Sequence, residues 1–508
     1  MPDSAKTSPA KPGAEQSAGK KPRKNKTREL VECLLVAGVL AIGIRTFGFQ
    51  LFKIPTRSME PELIGNENYG DRVVAAMWYN RGGSILPLKL AKPDRWQVIV
   101  FDHYVMEAQD NDDPREVRTN FIKRLIGLPG ERVEIRDGDV WINGRIERKP
   151  PDVQQHLWTK LCDQDPAKLA HLRYWWRFDE SLALDNGAAV LRAPGPGKPA
   201  TVRWAGFNPE KVDEGRAIDN RFIRPTVKQV TCPDKHAFAA AFDTARPLTF
   251  CPVCDKPVWG VRNDDEEGFL RCDNLRRKPD TDYWTEGKSP SFVPDLRLAA
   301  DFEYLGGSGE LKVVLVGRGD SYRLTLPLGE PGGAARLSSS RPGITAEGRL
   351  PVESGKPHHL EVVNVDGAFW AELDGMKLGP CQYEVNVVHG PADASLTLSG
   401  AAGLKLNRLQ LWRDIYYTWQ APGGNGSLEI EARRGYTRWH PGFSAFHASA
   451  DDKSFALAGP LGPDEYFFMG DNTLASQDSR AFGPKKEGDI VARAIFVAWP
   501  PSRFHLVW

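Results

Sequence analysis

The chain has 508 residues, a formal net charge of +1 and 26 % charged residues. That length allows two to four domains, and the near-zero charge excludes a polyanion-binding surface over the whole chain, so no nucleic-acid partner is expected. Apolar residues at 41 % exclude a wholly disordered protein, and 39 prolines with 48 glycines point to many turns and a mainly β body.

Residues 1–28 are rich in Lys, Pro, Ala and Ser and hold almost no large apolar side chain. They cannot bury enough surface to offset ordering entropy, so a disordered tail is expected. The tail ends in a basic cluster: Lys20, Lys21, Arg23, Lys24, Lys26 and Arg28. An apolar run from Leu30 to Ile44 follows, then Arg45, Phe47, Phe49 and Phe52. The uninterrupted part is shorter than the roughly 18–20 residues a spanning helix needs. Glu32 and Arg45 lie near its ends, however, where a long side chain reaches the interface. A single transmembrane helix over 29–52, in contact with membrane lipid, is the expectation. A buried core helix and a cleaved signal sequence are the other readings, and the lack of an Ala-x-Ala site counts against cleavage. The basic cluster predicts a cytoplasmic N-terminus, with everything after Phe52 on the outer, periplasmic side of the inner membrane.

Directly after the apolar run comes Pro55-Thr56-Arg57-Ser58-Met59-Glu60-Pro61. Two prolines restrict the backbone on either side of Ser58. A serine fixed in that way can be a nucleophile if a base lies within reach; a plain turn serine is the bland alternative. Further on, Phe121-Ile122-Lys123-Arg124-Leu125-Ile126 reads as a strand in which alternation puts Lys123 on the face of Phe121 and Leu125. Burial would favour the neutral amine, which can act as a general base; a lysine on a solvated face is the commoner case. Asp137-Gly138 and Asn143-Gly144 are hairpin signals. Near the C-terminus a strand runs into Gly470-Asp471-Asn472 and a polar loop, Ser476-Gln477-Asp478-Ser479-Arg480.

Taken as a set and in this order, these stretches resemble the type I signal peptidases, membrane-anchored Ser/Lys proteases. The resemblance covers roughly residues 29–150 and 426–508. It implies that Ser58 is the nucleophile and Lys123 the general base. It implies oxyanion donors at the Thr56 hydroxyl and the Ser58 backbone N–H, and a hydrogen bond from Ser476 that orients the lysine. Asp471 with Arg124, and Asp478 with Arg480, would form ion pairs that hold the last loop against the site. Arg57 stands where the family often has glycine, and Glu62 where it usually has threonine. The implied substrates are the signal peptides of exported preproteins, cut without a catalytic cofactor. Without the resemblance the chemistry is still consistent, because the histidines are scattered and none sits in a comparable motif.

The expected catalytic domain is therefore split into 53–150 and 426–508, with an inserted region at 151–425. Within the insert, 225–275 is Cys-rich: Cys232, Cys251-Pro252-Val253-Cys254 and Cys272. These four residues suit a structural zinc knuckle, with His236 as a spare ligand; disulfides are the competing reading in an oxidising compartment. Residues 291–413 carry short strands with glycine turns and suggest a sandwich, similar to laminin-G/concanavalin-like jelly rolls. Its ligand, if it has one, is not named by the sequence. The expected fold class is thus mainly β: a signal-peptidase-like β fold, one N-terminal transmembrane helix and an inserted β-sandwich. An inactive membrane-anchored binding scaffold is the rival reading, although a scaffold has no need of a Ser/Lys pair.

Overall fold

The computed structural model describes residues 31, 35–36, 48–67, 70–77, 92–107, 115–167, 176–178, 180–195, 197–204, 226–231, 234–242, 248–254, 257–262, 270–273, 293–330, 332–385, 392–417, 446–449, 454–473 and 476–507. Residues 1–49 and 50–508 form separate units. The expected basic tail lies outside the described residues, as does most of the expected membrane span. Val31, Leu35 and Val36 are helical and exposed. Among the described residues no helix is long and apolar enough to cross a membrane. The end of the expected span is not helix: Phe49–Lys53 is a strand in the same sheet as Arg72–Ala76. Its burial alternates residue by residue, which is the period of a strand. An apolar count alone does not register that period.

The second unit holds two bodies, both mainly β. In the first, an eight-stranded sheet runs Phe49–Lys53, Arg72–Ala76, Ile490–Trp499, Val98–Glu107, Arg115–Gly127, Glu465–Met469, Lys485–Lys486, with His505–Leu506 paired to Ile490–Trp499. The central strands are buried on both faces. Val98 and Val100 enter one core with Met59, Val73 and Ala494, while Ile99 and Phe101 enter another with Leu125 and Phe468. A five-stranded sheet, Phe446–Ser449, Ser454–Leu457, Val133–Arg136, Asp139–Ile142, Arg145–Ile146, packs through Val133, Ile135 and Phe455 against Ile126, Phe467 and Met469 of the first sheet. Residues from both ends of the chain are therefore interleaved strand by strand in this body.

The inserted body is a sandwich of an eight-stranded and a seven-stranded sheet around one core. Leu296–Tyr304, Pro357–Val365 and Gly403–Arg413 are central in one sheet; Gly309–Gly317, Asp320–Leu328 and Asp393–Gly400 are central in the other. Alternation decides which side chains enter: Leu311, Val313 and Leu315 point in, and the residues between them do not. The sandwich is larger than 291–413. Thr159–Gln164, Leu182–Asp185 and Ala188–Arg192 join the first sheet, and Trp176–Arg177 and Ala200–Trp204 the second. Cys162 lies in that core, and burial pushes its thiol up to about 12. The Cys-rich strands at 226–273 fall in sequence between these two halves of the sandwich and, among the described residues, pair only with one another.

Buried charge joins the two bodies. The Asp137-Gly138 turn has positive φ at both residues (46° and 92°), as its sequence predicts. Asp137 in the turn and Asp139 just after it face Arg318 of the sandwich, whose guanidinium also donates to Asp295 at 2.6 Å. In return, Lys149 of the first body reaches Asp366 and Asp414 of the sandwich, each at 2.7 Å, and Gln154 donates to Asp414 at 2.6 Å. Burial alone would lower the Lys149 pKa, but the two carboxylates outweigh it and hold the amine protonated. Burial raises the Asp414 pKa to about 6 despite that lysine. A Lys149→Met variant leaves two carboxylates in the interface without their cation, which costs about 3–5 kcal/mol. Its urea midpoint should fall accordingly, whereas Arg336→Ala, which breaks an exposed pair with Glu347, should leave the midpoint nearly unchanged.

Candidate active site

Ser58 sits in a single 3₁₀ turn, Arg57–Met59, directly after an extended Thr56. Met59 is fully buried and anchors the turn in the core. The far side of the turn is held by the backbone: the Asn472 N–H donates to the Ser58 carbonyl at 3.0 Å, and the Leu63 N–H to the Met59 carbonyl at 2.8 Å. Two elements far apart in sequence therefore set the position of one hydroxyl.

Lys123 projects from the long strand Arg115–Gly127 and is only 3 % exposed. Its Nζ lies 2.6 Å from Ser58 Oγ and donates to the Ile122 carbonyl at 2.9 Å. The Phe121 ring centroid is 5.2 Å from the nitrogen. Burial lowers the lysine pKa to about 8, while Asp478 and Asp471 pull it back upward. Each of those carboxylates is already engaged by an arginine, which weakens its field at the amine. The Arg124 guanidinium grips Asp471 with two parallel bonds at 2.8 and 2.7 Å and donates to the Trp96 carbonyl at 2.7 Å. Arg480 grips Asp478 at 2.9 and 2.8 Å and also holds the Thr473 hydroxyl and carbonyl. Asp478 further accepts the Gly470 N–H at 3.0 Å and caps the short helix Ser479–Phe482 through the Arg480 N–H. All four charged side chains are essentially excluded from water.

Thr56 is close as well, its Oγ1 3.5 Å from Ser58 Oγ. The hydrogen bond expected between Ser476 and Lys123 is not formed. Ser476 Oγ is buried and has no hydrogen-bond partner among the described residues. Glu62 is buried near His505, 3.8 Å away, and not against the Ser58 hydroxyl. Of the four cysteines expected to bind zinc, Cys251 and Cys254 are described and lie close to His236. Cys232 lies outside the described residues, and of Cys272 only the backbone is described.

Two contributors have weak sequence signals. The Asn472 amide acts through the backbone and leaves no trace in residue type. Gly470 does leave one: a Cβ there would stand 2.1 Å from Ser476 Oγ and 2.3 Å from the Ser58 carbonyl oxygen, so only glycine fits. A hydroxyl, a buried amine of lowered basicity and a nearby second hydroxyl form a set suited to nucleophilic acyl transfer.

Residues 27–168 and 435–499 match the profile of the family described as signal peptidase, peptidase S26. These two segments, which hold Ser58, Lys123 and the Gly470–Arg480 loop, are thus similar to a family of signal peptidases. The chain is 35 % identical over 153 residues to the signal peptidase I of Leptolyngbya laminosa, covering 29 % of this chain and 66 % of that protein. It is 34 % identical over 125 residues to the "Probable signal peptidase I-2" of Synechocystis sp., covering 25 % of this chain and 50 % of that protein. The chain thus spans half to just under two thirds of the length of these relatives. Among solved structures, a Caenorhabditis elegans galectin is 17 % identical, covering 24 % of this chain and 84 % of its own, at a TM-score of 0.19. A score of that size carries no argument about fold or ligand.

Gly470→Ala tests the packing of the site. The added methyl must displace the Ser58 carbonyl, and a misplacement near 1 Å costs on the order of 100-fold in rate. Peptide cleavage should fall by that order while the circular dichroism spectrum stays that of the parent; unchanged cleavage would show that the loop does not position the serine.

Proposed function

We propose that the protein is a Ser/Lys endopeptidase that removes signal peptides from exported preproteins at the outer face of the membrane. The observation that carries this reading is the 2.6 Å approach of Lys123 Nζ to Ser58 Oγ inside a water-poor site. The neutral amine takes the Ser58 proton as Oγ bonds to the scissile carbonyl carbon. The Ser58 N–H and the Thr56 hydroxyl stabilise the resulting oxyanion, a donor of this kind contributing about 3 kcal/mol. Collapse breaks the C–N bond, and the protonated Lys123 returns its proton to the leaving amine. Water then attacks the acyl-enzyme by the same route in reverse and frees Ser58.

The substrate backbone has a place to bind. The strand Arg115–Gly127 pairs along its whole first part with Val98–Glu107. On its other side only Arg124, Leu125 and Gly127 are paired, to Glu465–Met469. Among the described residues the edge before Lys123 is open, so an extended peptide can add there as a strand and present its carbonyl to Ser58. The anchor in this reading is the apolar run after the basic tail, which puts lipid beside the catalytic body and the N-terminus in the cytoplasm. An inactive scaffold is disfavoured by the same contact, because a buried lysine aimed at a hydroxyl has no structural use that a methionine would not serve better.

Detergent-solubilised full-length protein should cleave a signal-peptide-bearing precursor. Ser58→Ala and Lys123→Ala should each abolish cleavage, and Lys123→Arg should not restore it, since arginine cannot give up its proton. The rate should rise with pH and level off above about 8, because the base works only when neutral. Near-parental cleavage by Lys123→Ala would overturn the mechanism.

Lys123 also has a stability signature. Its folded-state pKa lies below the unfolded value, so the unfolded chain binds the extra proton and folding is penalised as pH falls through that interval. Lys123→Met should therefore be more stable than the parent at pH 7, by up to about 3 kcal/mol in urea unfolding. The gain should shrink towards pH 10, where the unfolded lysine loses its proton as well.

A further inference from the structure

The Cys-rich segment plays no part in the peptidase reading, yet the chain folds it into two hairpins whose turns bring metal-ligand side chains together. Thr226–Thr231 pairs antiparallel with Ala237–Phe242, with Thr231 opposite Ala237. His236 stands immediately before the second of these strands. Leu248–Phe250 pairs antiparallel with Pro257–Arg262, with Phe250 opposite Pro257. Cys251 and Cys254 stand in the turn between them. One ligand atom each of His236, Cys251 and Cys254 lies within 4.8 Å of the other two.

We propose that His236, Cys251 and Cys254 hold a structural zinc ion. Tetrahedral zinc with Zn–S about 2.3 Å and Zn–N about 2.0–2.1 Å sets a sulfur-to-nitrogen edge of about 3.6 Å. Cys251 Sγ lies 3.8 Å from His236 Nδ1, close to that edge. The Val253 N–H donates to Cys251 Sγ at 3.4 Å, an amide aimed at a buried sulfur, which favours the thiolate that a metal needs. Two thiolates and an imidazole select zinc over calcium or magnesium. The segment also needs such a staple, because two- and three-stranded sheets of this length hold too little core to be stable alone.

The backbone register speaks against Cys272 as a ligand. It stands opposite Gly260, three residues up the strand from Pro257. Three residues of strand span about 10 Å, too far for a bond of zinc–sulfur length to an ion in the turn. Cys232 belongs to the same connection, 232–236, as His236 and is the remaining cysteine of the segment.

The test uses the purified full chain. Plasma mass spectrometry should find one zinc per chain, and cobalt exchanged into the site should give the thiolate charge-transfer and tetrahedral ligand-field bands. His236→Ala and Cys251→Ser should lose the metal on dialysis, while His236→Cys, which supplies another ligand of the same kind, should keep it. Cys272→Ser should keep it too. Three results would overturn the proposal: metal retained by His236→Ala, metal lost by Cys272→Ser, or a disulfide at Cys251 or Cys254 in the non-reduced peptide map. None of these readouts depends on peptidase activity, so the site stands or falls apart from the function proposed above.

Discussion

The site depends on keeping one amine dry. In the proposed mechanism Lys123 can serve as a base only because burial lowers its proton affinity, and burial of an amine is costly. The surroundings are built to bear that cost without giving the proton back. Two aspartates lie close enough to raise the pKa, and each is tied to an arginine that spends its charge elsewhere. The same ion pairs close the polar loop over the site. A single arrangement thus excludes water, limits the negative field at the amine and fixes the Ser58 turn through Gly470 and Asn472.

The join between the two bodies follows a related logic with the opposite sign. There the lysine is kept charged, because two carboxylates from the sandwich face it directly. Each body lends a cation to acids of the other: Lys149 reaches into the sandwich, and Arg318 reaches out to the Asp137-Gly138 turn. Reciprocal pairing of this kind tolerates no sliding, since displacement in any direction separates at least one buried pair. The inserted sandwich is therefore a fixed part of the body that carries Ser58 and not a tethered appendage.

Much of this was legible in local pattern. Alternation around Lys123 marks the face it shares with Phe121 and Leu125, and Asp137-Gly138 marks a turn with positive φ. The spacing of short strands marks a sandwich, although Thr159–Gln164 and Ala188–Arg192 have too little alternation to be assigned to it. What was not legible is long-range. Nothing near Lys149 signals Asp366, 217 positions away, and nothing near Gly470 signals the Ser58 carbonyl. The role given to Ser476 came from resemblance, and the hydroxyl is near the site without a bond to the amine. The apolar content of Phe49–Lys53 suits the end of a helix, and only its two-residue period marks a strand. The place of His236 beside Cys251 was weakly signalled, since a histidine counts as a ligand only when a turn brings it to the thiols.

The Arg124–Asp471 pair closes a loop of 347 positions. Few contacts in a protein are so non-local, and such contacts form late because the intervening chain must be brought together first. A ribosome that has delivered Ser58 and Lys123 still has the sandwich and the Cys-rich hairpins to deliver before Asp471 and Asn472 exist. Until then the serine turn lacks the amide that holds it, and the lysine lacks the loop that keeps it dry. Chain order thereby acts as a timer: the nascent protein carries Ser58 and Lys123 before the means to hold them in place, and the proposed catalytic centre is completed only when the insert has been made.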